Sequence, residues 1–127
     1  MKLASIDVGL KRIGVAICLT SNIVTPQNAI LRKNRNQAAS DVNAFLKEWE
    51  IDKLIVGFPS SSEDTQNRIK HFVGLLELTI PFEFQEENMS SIEAEEMMKG
   101  EIKYKRDGRV DSLAAKIILE RFLAKKY

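Results

Sequence analysis

A chain of 127 residues, 44% hydrophobic and 29% charged, suits one domain, is too short for two full cores and is too apolar to be disordered. Its 19 Lys+Arg against 18 Asp+Glu leave a net charge of +1, which excludes a uniformly basic nucleic-acid binder. No stretch approaches the roughly 20 apolar residues of a membrane span. The single cysteine, Cys18, excludes an internal disulfide and a multi-cysteine zinc site.

The first third reads as β structure. Lys2 to Asp7 and Ile13 to Leu19 are short apolar runs, and Asn28 to Arg32 is a third candidate strand. Gly9 and Gly14 punctuate the first connection, so a tight turn predicts a hairpin of the first two runs. The N-terminal run is too short for a signal peptide and ends in an aspartate. With Cys18 inside an apolar run, as a buried small hydrophobe, a cytoplasmic protein is expected.

Then the period changes. Ala38, Val42, Phe45, Leu46 and Trp49 recur at helical spacing, predicting an amphipathic helix near 36–50 with Trp49 in the core. Asp52 to Gly57 reads as a buried strand. Ser60 to Asp64 is a polar loop, followed by a helix with Ile69, Phe72, Val73 and Leu76 on one face. Phe82 to Gln85 is a short strand. Ser90 and Glu93 form a capping box that opens a third helix to about Lys99. Gly100 to Gly108 is a polar, basic loop. A last helix spans about Arg109 to Lys125, with Leu113, Ala114, Ile117, Ile118 and Phe122 inward. The order β-β-β-α-β-α-β-α-α predicts an α/β fold with a mixed five-stranded sheet and helices on its faces.

Three acidic positions could carry chemistry. Asp7 ends a strand before a glycine turn, where α/β sheets place ligands; capping of that turn is its plain structural alternative. Glu86-Glu87 ends the 82–85 strand. Adjacent strand residues point to opposite faces, so at most one of them can share a face with Asp7. Asp111 begins the last helix with Ala115, Ile118 and Phe122 on its face; helix capping is the ordinary role there. Three carboxylates brought to one edge repel unless a cation neutralises them, and oxygen ligands suit Mg²⁺ or Mn²⁺. Such ions can activate water and stabilise the leaving oxygen of a phosphodiester. His71 is the only histidine, so a His-rich metal site is impossible; it reads as structural or exposed. Ser60-Ser61-Ser62 lacks a placed histidine base, which argues against serine-hydrolase chemistry.

Four segments carry a family resemblance. Asp7-Val8-Gly9-Leu10-Lys11-Arg12-Ile13-Gly14-Val15-Ala16 resembles the DxGxKRIGVA opening of the YqgF/RuvX family. Leu54-Ile55-Val56-Gly57-Phe58-Pro59 resembles its IVGLP strand end, Glu86-Glu87-Asn88-Met89-Ser90-Ser91 falls where the family has DERLST, and Val110-Asp111-Ser112-Leu113-Ala114-Ala115 is similar to its (I/V)DSxAA helix start. The resemblance implies a single RNase H-like nuclease domain over 1–127, related to RuvC-type resolvases, that matures the 5′ end of pre-16S rRNA. It implies Asp7, Glu87 and Asp111 as the catalytic and metal-holding acids. Asn88 replaces the family arginine, Glu86 replaces an aspartate, and Glu63-Asp64 stands where an Asp-Gly is usual. The lost arginine removes a bidentate phosphate donor, for which Lys11, Arg12, Arg106 and Arg109 are the candidate replacements.

The leading expectation is therefore a metal-dependent endonuclease acting on structured RNA, with pre-rRNA and ribosomal particles as partners. The alternatives are a homodimeric Holliday-junction resolvase acting on branched DNA and a non-catalytic ribosome-assembly or nucleic-acid-binding module. Charge distribution is compatible with all three. Residues 1–35 carry six Lys/Arg and one acid, and residues 103–127 carry eight and three. Residues 36–102 carry five basic and fourteen acidic residues. The motif-bearing ends are basic, so a phosphate-binding surface can exist on a nearly neutral protein.

Overall fold

The continuous apolar runs near the N-terminus become strands buried on both faces, as expected at the centre of a covered sheet. Strand β1 (Leu3–Val8) pairs antiparallel with β2 (Arg12–Cys18), from Leu3 opposite Cys18 to Val8 opposite Ile13. The computed structural model describes residues 1–20, 22–86 and 109–126. The hairpin turn is closed by the Gly9 N–H, which donates to the Arg12 carbonyl at 3.1 Å. Gly14, expected as turn punctuation, instead lies inside β2 directly opposite Asp7.

Strand β3 (Thr25–Leu31) starts three residues before the predicted run. Pro26 obscured its start, yet β3 is a sheet edge, where a missing N–H costs no ladder bond. Helix α1 (Arg35–Glu48) is opened by a capping box: the Gln37 N–H donates to Asn34 Oδ1 at 2.8 Å, and Gln37 Oε1 accepts from the Asn34 N–H at 3.3 Å. It ends two residues before the predicted limit, because Glu50 turns into the left-handed region at φ 52°. Asn34→Ala should lower stability by about 1 kcal/mol, measured as a shift of the urea midpoint at constant m.

Strand β4 (Lys53–Phe58) adds parallel to β1, and β5 (Phe82–Glu86) adds parallel to β4. The sheet order is β3-β2-β1-β4-β5, the expected mixed five-stranded sheet. Helix α2 (Glu63–Leu75) links β4 to β5, and helix α3 (Arg109–Lys126) closes the described chain. The helix expected from Ser90 to about Lys99, and the loop Gly100 to Gly108, lie outside the described residues.

Side-chain alternation splits the core into two layers. Ala4, Ile6 and Val8 of β1 pack with Val42 of α1 and Ile69 and Phe72 of α2. Leu3 on the other face packs with Ala16, Ile55, Ile118 and Phe122, the last two from α3. The predicted inward stripe of α3 is wider than expected: Ala115, Leu119 and Leu123 are buried as well, while Leu113 is half-buried. Trp49 packs partly buried against the α1/α2 core. Burial raises the Cys18 thiol above its ordinary value. Native protein should therefore resist maleimide at pH 8 and react fully in denaturant; rapid native labelling would contradict the buried assignment.

Candidate active site

The sheet edge where β1 and β4 end and β2 begins brings together Asp7, Asp111 and Arg12, three of the residues singled out by sequence. In β1, Leu3 and Ser5 face α3, since the Ser5 hydroxyl donates to the Ala115 carbonyl at 2.6 Å. Alternation carries Asp7 to the same face, where it is 8% exposed. Asp7 lies opposite Gly14 of β2.

Asp111 reaches the same point from α3, whose first turn contains it. The backbone of α3 rests on Gly14: a Cβ there would overlap the Asp111 carbonyl, and would stand 2.9 Å from the Ser112 N. Glycine at this position is a condition of close approach. The missing side chain lets the helix start settle onto β2, directly across from Asp7. The two acids that sequence reading placed on separate elements thus converge over one glycine.

The approach is fixed by two serine hydroxyls. Ser112 donates to the Gln27 carbonyl of β3 at 2.6 Å, where an irregularity in the β2–β3 ladder falls between Ile13 and Val15. Ser5 holds Ala115 as described. Both serines are buried, so each bond also satisfies a hydroxyl that would otherwise be costly to bury. Sequence reading did not single out either serine; a polar residue inside an apolar strand was the available signal for Ser5.

Arg12 lies next to this pair. Its Nε donates to Asp111 Oδ2 at 3.1 Å, with both side chains about a quarter exposed. It was expected as a phosphate-binding residue; here its guanidinium orients the helix-start carboxylate. Lys11 is exposed beside it in the turn. Arg109 belongs to α3. Arg106 and Glu87 lie outside the described residues.

Phe84 packs against the α1/α2 core, whereas Lys53 bridges Glu83 at 2.8 Å and lies over the Phe122 ring of α3. Glu86 therefore shares the α1/α2 side with Phe84, and its Oε1 accepts from the Ser60 hydroxyl at 2.9 Å. It is not on the Asp7 face. The serine run is structural at its other end too, since Ser62 caps α2 by accepting from the Thr65 N–H at 3.3 Å. His71 is exposed on α2.

Among the described residues, no three His, Cys, Asp or Glu side chains gather closely enough to hold a metal. Asp7 and Asp111 supply carboxylate oxygen alone, a donor set that fits a hard cation such as Mg²⁺ or Mn²⁺ and not a soft one. No helix among the described residues is long and apolar enough to cross a membrane.

A relative from Sulfurovum sp. (strain NBC37-1), named "Putative pre-16S rRNA nuclease", is 66% identical over 98% of this chain and 99% of its own. One of the same name from Sulfurimonas denitrificans is 51% identical over 99% of both chains. Among solved structures, Thermus thermophilus RuvC in complex with a Holliday junction substrate superposes with a TM-score of 0.57, at 14% identity, over 99% of this chain and 96% of that one. The fowlpox virus Holliday junction resolvase gives 0.58 at 17% identity over the whole of both chains. At such identities the likeness is one of fold, and the fold is that of the RNase H-like resolvases. The family model described as "RuvX: Holliday junction resolvase" matches residues 1–125, and the chain belongs to that nuclease family.

Proposed function

We propose that this protein is a divalent-metal-dependent endonuclease that hydrolyses phosphodiester bonds in structured RNA, with the 5′ end of pre-16S rRNA as its substrate. The observation that supports this most is the convergence of Asp7 and Asp111 over Gly14 at the strand-end edge of the sheet. The RNA assignment rests on the names of the relatives, which span nearly the same length as this chain.

Asp7, Asp111 and Glu87 are the proposed metal-holding acids. Glu86 faces the other side of the sheet, which leaves Glu87 as the member of the pair in contention. A bound Mg²⁺ or Mn²⁺ would neutralise charge developing on the scissile phosphate. Burial of Asp7 at a covered edge keeps its carboxylate in a fixed position without reorganisation. Arg12 holds Asp111 in place and, with Lys11, contributes positive charge beside the bond to be cut. Arg106 and Arg109 are further phosphate-binding candidates on the basis of their charge. A cytoplasmic setting, with ribosomal particles as the larger partner, follows from the same substrate.

A second reading is favoured by the family description itself: cleavage of four-way DNA junctions. It uses the same acids but requires two symmetrically placed cuts, hence a homodimer. Digestion of a pre-rRNA leader and of a four-way DNA junction in parallel, with Mg²⁺, Mn²⁺ or EDTA, separates the two. Preferential metal-dependent cutting of the leader supports the first reading. Preferential cutting of the junction overturns it in favour of the second, and metal-independent binding without cutting on either substrate overturns both.

A further inference from the structure

The strand-end edge has a second cationic feature that no sequence motif announced. Arg32 follows the last residue of β3, and its Nη1 donates to the Gly9 carbonyl at 2.8 Å. Its own N–H donates to the Lys11 carbonyl at 2.9 Å, so the residue is tied twice to the β1–β2 turn. Its guanidinium lies 5.4 Å from the centre of the Phe72 ring. Phe72 belongs to α2 and to the α1/α2 core. Arg68, on the same helix, is one turn before Phe72, and Arg35 opens α1 three residues after Arg32. Arg32, Arg35 and Arg68 thus lie near enough on the α1/α2 side of the edge for the charges of the latter two to act on Arg32.

The cluster is not neutralised from within. Among the described residues, no carboxylate lies within ion-pair distance of Arg32, Arg35 or Arg68. The Nε of Arg68 is buried without a hydrogen-bond partner among the described residues. Burial, then the charges of Arg68 and Arg35, push the Arg32 guanidinium below its ordinary value. Folding has therefore assembled like charges and left a donor unsatisfied, a cost that an incoming anion would remove.

We propose that Arg32, Arg35 and Arg68 form a phosphate-binding subsite that holds the nucleic-acid backbone beside the scissile bond, on the opposite side of the β1–β2 turn from the carboxylates. Guanidinium forks match phosphate oxygens in geometry and charge. Arg32 is the fixed member, anchored at Gly9 and against Phe72, whereas Arg35 is exposed and free to approach the ligand. This inference rests on the nuclease reading for the identity of the ligand.

The test is binding of a fluorescein-labelled RNA hairpin in EDTA, followed by anisotropy across a range of salt concentrations. Arg35→Gln/Arg68→Gln should bind about tenfold more weakly than wild type and show a log K against log salt slope reduced by about 1 or more. Lys47→Gln, near the far end of α1, should bind as wild type. Arg35→Gln alone alters only an exposed side chain, so its smaller loss in the same direction guards against a folding artefact. Wild-type affinity and slope in the double variant would overturn the subsite. Equal displacement of the hairpin by polyglutamate and by unlabelled RNA would overturn the choice of ligand. Because binding is read without metal, failure here is distinct from failure of the nuclease reading, which would show as no metal-dependent cleavage of either substrate by the wild-type protein.

Discussion

Asp7→Asn should reduce metal-dependent cleavage by at least about a hundredfold, about 3 kcal/mol of transition-state stabilisation, while leaving the protein folded. The substitution keeps the shape of the side chain and removes its charge. Asp7 sits at an edge shared with Asp111, so the substitution also relieves repulsion between like charges there. The expected result is a thermal midpoint within a few degrees of wild type and product formation near background in Mg²⁺ and in Mn²⁺. Undiminished cleavage at wild-type metal concentrations would remove Asp7 from the proposed mechanism. The measurement is cleanest on end-labelled RNA in single turnover, where product release does not mask the chemical step.

Gly14→Ala should be strongly destabilising although it adds a single methyl group. The added Cβ would overlap the Asp111 carbonyl and stand 2.9 Å from the Ser112 N, and these are backbone atoms that cannot rotate away. Helix α3 must then lift from β2, opening the core around Ala16, Ile118 and Phe122. The expected cost is about 3 kcal/mol, a fall of the melting midpoint by about 10 °C. Cleavage should fall even where the variant is fully folded, because Asp111 moves away from Asp7. Gly74→Ala is the control. A Cβ at Gly74 meets nothing within 4 Å, and the residue lies near the end of α2. That exchange should be neutral or stabilise by about 0.5–1 kcal/mol. Similar behaviour of the two alanine variants would show that α3 does not depend on Gly14.

Much of the architecture was legible because local signals and tertiary demands agree. The runs at β1, β2 and β4 are continuous and apolar because both sheet faces are covered. The stripes of α1 and α2 repeat at helical spacing because each buries one face. Asp7 and Asp111 stood out because strand ends and helix starts are where such sheets expose polar groups. The start of β3 was less legible, since Pro26 is read against a strand unless the strand is known to be an edge.

The rest of the site was illegible for one reason: it is built from contacts far apart in sequence. The Arg12–Asp111 pair joins residues 99 apart, and Ser5 reaches Ala115 across 110. Gly14 looked like punctuation because its importance lies in what rests on it, not in its own conformation. Arg32, Arg35 and Arg68 belong to no single motif, and only the packing of α2 beside the end of β3 unites them. The parity of Glu86 and Glu87 was legible in principle, but the side taken by Glu86 needed the sheet.

The two buried serine bonds of α3 have a dynamic consequence. Ser5 and Ser112 bind this helix to β1 and β3 through its own and the sheet's carbonyls. Sliding or rolling of the helix would break both, so the helix moves only by detaching. The spacing of Asp7 and Asp111 is therefore lost in a local opening event, and not by gradual loosening. Mild denaturant should abolish cleavage in step with exchange of the α3 amides, well before the α1/α2 layer melts.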